Sequence, residues 1–142
     1  METDLFEKIN KNTAKICVIG LGQVGLPTAL TFSKIGFDVI GYDIDKNLLS
    51  TINSKKAPFE EKGLEELLKI SIEKNKFRTS SNIDEVVPFS DVIIICVATP
   101  ITENIKPDLS ALENVCTSLS RFSLTGKLVI VESSLPPGTF DG

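Results

Sequence analysis

The chain has 142 residues, of which 42% are hydrophobic and 24% are charged, and its formal net charge at pH 7 is -4. This length and composition fit one folded globular domain. The negative charge argues against a nucleic-acid backbone or an anionic membrane surface as a partner. The absence of histidine removes the commonest general base and the commonest metal ligand, so we assign no metal site.

Residues 1–14 read METDLFEKINKNTA and lack the apolar core of a signal peptide. No apolar run in the chain approaches the ~20 residues of a membrane span. We therefore interpret residues 1–14 as the polar leader of a cytoplasmic protein and residues 15–142 as its folded domain.

Strand-like and helix-like segments alternate along residues 15–142. The predicted strands, in chain order, are residues 15–19, 38–42, 77–80, 91–98 and 127–132. The predicted helices are residues 24–35, 46–53, 64–74, a short segment after residue 82, and 110–122. The fourth strand is apolar without alternation, as expected where both faces of a parallel sheet are covered. The pattern predicts a single α/β domain with an open, mostly parallel, doubly wound sheet.

Several helix starts carry capping residues. Asp45 is placed to cap the second helix. Asn82 and Glu85 have the spacing of a capping box before the short helix, and Ser110 and Glu113 have it before the last one. The apolar positions predicted to form the buried side of the first helix are Val24, Leu26, Ala29, Leu30 and Ile35.

Gly20, Gly22 and Gly25 form a GxGxxG pattern between the first strand and the first helix. In a Rossmann-type domain the first glycine allows the tight turn, the second lets the backbone approach a pyrophosphate, and the third lets helix and strand pack closely. Free N–H groups at the helix N-terminus then hold the phosphates. The pattern predicts dinucleotide binding, and a glycine turn that serves packing alone is the alternative.

Asp43 ends the second strand, after the glycine turn. A carboxylate at this place can accept hydrogen bonds from both adenosine ribose hydroxyls, and it repels a 2′-phosphate, so NAD is favoured over NADP. Asp45 is a competing carboxylate, but its position fits a helix cap better.

Polar residues follow the fourth and fifth strands, at the edge where such sheets bind ligands. Thr99 can offer its hydroxyl and backbone to the cofactor, although Thr-Pro can also simply end a strand. Ser134 can bond a ribose or nicotinamide group. Glu132 lies at the same edge, where it can simply be a solvated strand end.

Six segments in this order and spacing complete a resemblance. They are KICVIGLGQVGLPTAL, VIGYDID, GLEELL, DVIIICVATP, KPDLS and VESSLPPGT. Over residues 15–139 the chain resembles the NAD-binding domain of the UDP-glucose/GDP-mannose dehydrogenase family. These enzymes oxidise the C6 alcohol of a nucleotide sugar to a carboxylate, and the GLPTA segment slightly favours the UDP-N-acetylmannosamine and UDP-N-acetylglucosamine dehydrogenases.

The resemblance implies which residues contact the cofactor. Beside the three glycines, these are Gln23, Val24, Asp43, Thr99 and Ser134. The family commonly has Tyr in place of Gln23 and Thr in place of Ser134. Leu48 stands where a basic residue often follows the ribose acid, and Lys46 is the nearby candidate to replace it.

The resemblance also places the catalytic cysteine of the family beyond the cofactor domain. None of Cys17, Cys96 and Cys116 matches that motif. We expect free thiols, with Cys17 and Cys96 in the core, and assign no catalytic residue. A sixth strand is also missing, so we interpret the chain as a truncated domain whose fifth strand becomes an exposed edge.

We therefore predict the NAD-binding domain of a UDP-sugar 6-dehydrogenase that uses two NAD per sugar, acts as a homo-oligomer through the region beyond this domain, and is inactive as this fragment. A free-standing NAD- or nucleotide-sensing module is the alternative from another class. A third possibility is a dehydrogenase of the 6-phosphogluconate or 3-hydroxyacid type, which shares the glycine turn but diverges in the later motifs.

Overall fold

A computed structural model describes residues 2–139 and contains a five-stranded sheet in the order β3-β2-β1-β4-β5. The strands are β1 Lys15–Ile19, β2 Asp38–Tyr42, β3 Phe77–Ser80, β4 Val92–Ile95 and β5 Leu128–Val131. All four pairings are parallel. The strand order reverses between β1 and β4, which confirms the predicted doubly wound α/β fold.

Within residues 2–139, six α-helices connect or flank these strands. They are α1 Glu2–Asn10, α2 Gly25–Ile35, α3 Lys46–Asn53, α4 Leu64–Glu73, α5 Ile83–Val86 and α6 Ser110–Leu119. A 3-10 helix, Val87–Phe89, follows α5. None of the helices in residues 2–139 is long and apolar enough to cross a membrane.

The sheet separates two hydrophobic cores. Alternate residues of β1 point to opposite faces, so Ile16 and Val18 join the core under α1 to α4, whereas Cys17 and Ile19 join the core under α5 and α6. Because both faces are covered, β1 is buried along most of its length without alternation. The predicted core positions of Cys17 and Cys96 are confirmed.

Helix α2 differs from its predicted burial at its two ends. Leu26, Ala29 and Leu30 are fully buried, but Val24 and Ile35 are each 55% exposed. Val24 precedes the first helical residue and lies at a cavity mouth. Ile35 is the last residue of the helix, next to the C-cap residue Gly36. The prediction that both are buried is therefore wrong.

The polar leader contains helix α1, which the sequence did not predict. Leu5 and Ile9 pack against the core beneath the sheet. Lys8 Nζ donates to Asp91 Oδ1 at 3.2 Å, and Asp91 Oδ2 accepts from the backbone N of Lys15 at 2.9 Å. Helix α1 is thus tied to the amino ends of β1 and β4.

The capping predictions have mixed outcomes. Asp45 caps α3 by accepting from the backbone N of Asn47 and Leu48, as predicted. Asn82 caps α5, but the carboxylate of Glu85 bonds Ser80 Oγ instead of completing a capping box.

The second capping box is replaced by a different contact. Asp108 Oδ1 accepts from both the backbone N and the Oγ of Ser110. The residue before α6 is Leu109, which makes no side-chain cap. The predicted box of Ser110 and Glu113 is therefore wrong.

Strand β5 is the last strand of the described sheet on its side. Leu128, Val129 and Ile130 are 41%, 37% and 40% exposed, although all three are apolar. This confirms that the fifth strand is an exposed edge within the described residues.

Candidate functional site

A cavity of about 820 Å³ lies at the carboxyl ends of β1, β2, β4 and β5. This is the crevice beside the reversal of strand order, where open α/β sheets bind their ligands. Seven of the eight predicted contact residues line it, namely Gly20, Gly22, Gln23, Val24, Asp43, Thr99 and Ser134. The eighth, Gly25, is buried behind the turn. The fold thus brings residues from four separate loops to one cavity.

The three glycines of the turn differ in their surroundings. Gly20 has a φ of +94°, and a Cβ there would lie 2.8 Å from the carbonyl oxygen of Cys96. A Cβ on Gly25 would lie 1.6 Å from the carbonyl oxygen of Gly20. Gly22 has no atom within 4 Å of the place of a Cβ, so the cavity reaches its backbone directly. Two glycines therefore permit the turn, and the third keeps it open to a ligand.

The turn also offers backbone donors. Within the part of the chain that the structure describes, the N–H groups of Gly22, Gln23 and Val24 donate to no protein acceptor. These groups precede α2, whose dipole adds partial positive charge at the same place. An anion of pyrophosphate size fits this arrangement because both the donors and the space are present.

Asp43 has a structural contact as well as a place in the cavity wall. Its Oδ2 accepts from the backbone N of Leu21 at 2.9 Å, and its Oδ1 accepts from the backbone N of Asp45 at 2.9 Å. Each carboxylate oxygen can accept a second hydrogen bond. Asp43 can therefore hold the glycine turn in place and still accept from ligand hydroxyls.

Thr99 and Ser134 are joined to each other. Thr99 Oγ1 donates to the carbonyl oxygen of Ser134 at 2.7 Å. Nearby, Ser133 Oγ donates to the carbonyl oxygen of Val97 at 2.8 Å. The loops after β4 and β5 therefore form one wall. The hydroxyl hydrogen of Thr99 is engaged within the protein, so this group faces a ligand as an acceptor.

Glu132 is a cavity residue whose contacts the sequence did not reveal. Its Oε2 accepts from Cys96 Sγ at 3.2 Å and from Thr28 Oγ1 at 3.4 Å. These contacts join the ends of β4 and β5 to α2. No sequence signal predicts them, because the three residues meet only through the strand order.

The buried thiols are poorly suited to nucleophilic attack. Burial raises the pKa of Cys17 to about 12. Burial first, and then the hydrogen bond to Glu132, raise the pKa of Cys96 to about 12. Both thiols therefore stay protonated at neutral pH. This supports assigning no nucleophile to them, although Cys96 lines the cavity.

Further lining residues were missed from the sequence. Helix α6 contributes Ser110, Asn114 and Ser118, which recur every four residues and so share one face. That polar spacing was a detectable signal. Ile44 and Leu48 form an apolar wall beside Asp43, and their position after β2 was the available clue.

Comparison with known proteins also indicates a dinucleotide-binding domain. Residues 14–142 match the family model of the UDP-glucose/GDP-mannose dehydrogenase family, NAD binding domain. The UDP-N-acetyl-D-mannosamine dehydrogenase of Pyrococcus horikoshii is 40% identical over 125 residues, which are 88% of this chain. The GDP-mannose 6-dehydrogenase of Pseudomonas savastanoi pv. phaseolicola is 37% identical over 128 residues, also 88% of this chain.

The fold is likewise similar to a solved structure. A ternary complex of GDP-mannose dehydrogenase from Pseudomonas aeruginosa superposes with a TM-score of 0.84 at 34% identity. That match covers 89% of this chain and 30% of the other. The chain spans 29% of the length of each of the two curated relatives.

Proposed function

Because the chain belongs to the UDP-glucose/GDP-mannose dehydrogenase family as an NAD-binding domain, we propose that it holds NAD for a nucleotide-sugar 6-dehydrogenase. The observation that carries this proposal is the meeting of the free N–H groups of Gly22, Gln23 and Val24 with the Asp43 carboxylate in one cavity. A pyrophosphate requires the free N–H groups as donors, and an adenosine ribose requires the carboxylate as an acceptor.

Each predicted residue has a role in this proposal. The backbone of Gly20, Gly22, Gln23 and Val24 holds the pyrophosphate, and Gly25 keeps α2 close to the turn. Asp43 accepts from the ribose hydroxyls of the adenosine, and Ile44 and Leu48 pack against the adenine base. Thr99 and Ser134 contact the nicotinamide half, because they follow β4 and β5.

The proposed reaction oxidises the C6 hydroxyl of a UDP-sugar to a carboxylate. The conversion of CH₂OH to COO⁻ consumes one water, transfers two hydrides and releases three protons. Bound NAD supplies the hydride acceptor, and two NAD molecules are needed for each sugar. Similarity to UDP-N-acetyl-D-mannosamine dehydrogenases favours a UDP-N-acetylated sugar.

We place the reaction in the cytoplasm and assign homo-oligomer formation to the region beyond this domain.

The 142 residues do not supply the whole reaction in this proposal. An aldehyde intermediate is held by a thiolate, yet Cys17 and Cys96 are protonated and buried at neutral pH. Cys116 is exposed on α6 and is not among the residues that line the cavity. We therefore propose that this chain binds NAD and does not oxidise the sugar by itself.

Calorimetric titration of the chain with NAD and NADP tests the cofactor site. We expect NAD to bind more tightly, because Asp43 repels a 2′-phosphate. Asp43→Asn keeps the shape of the side chain and should reduce this preference. Asp45→Asn is the matched control, since Asn also caps helices well, and it should retain the preference. Failure of the unaltered chain to bind NAD would overturn the proposal, and equal affinity for both dinucleotides would remove the role of Asp43.

A mixture of the chain, NAD and UDP-N-acetylmannosamine tests the second part of the proposal. We expect no increase in absorbance from NADH at a concentration at which calorimetry shows bound NAD. Turnover under these conditions would show that the catalytic groups lie within the 142 residues.

A further inference from the structure

Glu132 lies at the opposite end of the cavity from Asp43. Asp43 follows β2 and Glu132 follows β5, and both line the same cavity. Three strand spacings separate β2 from β5 in the sheet order, which is roughly 14 Å. A dinucleotide whose adenosine ribose is held by Asp43 extends across the strand ends toward β4 and β5. Glu132 is therefore at the nicotinamide end of the proposed site.

The carboxylate of Glu132 is held in place on one side. Its Oε2 accepts from Cys96 Sγ and Thr28 Oγ1, and its backbone N donates to the carbonyl oxygen of Ile95 at 2.9 Å. Among the described residues, Oε1 takes part in no hydrogen bond. The Glu132 side chain thus bonds the protein through one carboxylate oxygen, and the other oxygen keeps its capacity to accept.

The negative charge of Glu132 also has no protein counter-ion. The salt bridges found within residues 2–139 do not include it. Its two side-chain donors, a protonated thiol and a hydroxyl, are both neutral. An uncompensated carboxylate in a ligand cavity favours a cationic group on the ligand.

The nicotinamide ring carries a positive charge in NAD⁺ and none in NADH. We propose that Glu132 is a specificity-determining residue that favours the oxidised cofactor over the reduced one at this site. This rests on the proposed function. A reaction that uses two NAD per sugar must exchange NADH for NAD⁺ between its two steps, and a carboxylate at this end promotes that exchange.

The expected effect of removing the Glu132 charge is a change in the ratio of the affinities for NAD⁺ and NADH. A charge pair at an exposed site shifts an equilibrium by roughly 1.4- to fivefold. Glu132→Gln removes the charge but keeps the shape and an acceptor for the Cys96 thiol and the Thr28 hydroxyl. It should weaken NAD⁺ binding by about that factor and leave NADH binding nearly unchanged. Glu132→Lys should lower the preference for NAD⁺ further.

The experiment measures the dissociation constants of NAD⁺ by calorimetry and of NADH by fluorescence. Glu113→Gln is the matched control, because it removes the same charge from an exposed residue of α6 that is not part of the cavity lining. The control should keep the unaltered ratio of the two constants. Circular dichroism establishes that each variant is folded.

Salt dependence provides a second test, which compares the unaltered chain with Glu132→Gln. Because the interaction is between charges, rising ionic strength should weaken the relative preference for NAD⁺, and the effect should be absent in Glu132→Gln. A purely structural role of Glu132 would change both affinities equally and would not alter this salt dependence.

Equal weakening of NAD⁺ and NADH by Glu132→Gln, or an unchanged ratio at all salt concentrations, would overturn the role of Glu132 and leave the proposed function standing. Failure of the unaltered chain to bind either form would overturn the proposed function as well. The two failures are therefore distinguishable.

Discussion

Asp43 Oδ2 accepts a hydrogen bond from the backbone N of Leu21 at 2.9 Å, so the acid that follows β2 also fixes the glycine turn that follows β1. A hydrogen bond thus joins Asp43 to the glycine turn, and these are the two parts of the proposed dinucleotide site. A ligand that bridges them meets a preformed arrangement, which lowers the ordering cost of binding.

The first prediction concerns the stability that this contact provides. Asp43→Ala removes the acceptor for two backbone N–H groups, those of Leu21 and Asp45. We expect a loss of about 1–3 kcal/mol in the free energy of unfolding, measured by urea denaturation, together with loss of NAD binding.

Asp45→Ala provides the comparison for this first prediction. It removes the cap of α3 and should cost about 1 kcal/mol, while NAD binding is retained. If Asp43→Ala left both stability and NAD affinity intact, the link between the acid and the turn would have no energetic importance.

The second prediction compares two glycines of the same turn. Gly25→Ala places a Cβ 1.6 Å from the carbonyl oxygen of Gly20, and backbone cannot give way as a flexible side chain does. We expect severe destabilisation, by about 3 kcal/mol or more. Urea denaturation followed by circular dichroism measures it.

Gly22→Ala is the matched change at the neighbouring motif position. Its Cβ meets no atom within 4 Å and its φ is not among the positive values of the chain, so the fold should remain stable. The methyl group enters the cavity instead, and NAD affinity should fall by about tenfold or more, as calorimetry would show. Normal NAD binding by Gly22→Ala would contradict the placement of the pyrophosphate against this residue.

The third prediction concerns thiol reactivity. The pKa values of Cys17 and Cys96 are both raised to about 12, whereas Cys116 is exposed. Because the thiolate is the reactive form, iodoacetamide at pH 8 should modify one cysteine in the native chain. Mass spectrometry should locate the modification at Cys116.

Cys116→Ser should therefore remain unmodified under the same conditions, and all remaining thiols should react once the chain is unfolded in urea. Rapid labelling of Cys96 in the native chain would show that the Cys96 thiol is accessible from the cavity and can ionise.

The fourth prediction is a loss of stability at alkaline pH. Burial raises the pKa of the Cys17 thiol from 9.0 to about 12. Above pH 9 the unfolded chain releases this proton while the folded chain keeps it, so the unfolded state is favoured as the pH rises toward 12. Urea denaturation at a series of pH values should show this decline.

The variant Cys17→Ala tests the origin of the decline. Its stability should depend less on pH between 9 and 12 than that of the unaltered chain, even if it is less stable at pH 7. An identical pH dependence of the two proteins would assign the decline to other groups.

The sequence by itself determined the elements and their order. The bounds of β1, β2 and β3 match the predicted residues. For β1 the physical reason is that a strand covered on both faces leaves an uninterrupted apolar run. The glycine turn and Asp43 were also predictable, since their spacing follows from one strand, one turn and one helix. Local patterns encode local hydrogen bonds and burial, so such features can be read without knowing which strands pair.

Only the tertiary structure decided which distant residues meet. Cys96 and Glu132 are 36 residues apart, and Thr28 and Glu132 are 104 apart, yet all three are in contact at one end of the cavity. The strand order places β4 beside β5 and closes α2 onto them. Burial and pairing at long range depend on which elements become neighbours, and no local pattern carries that information.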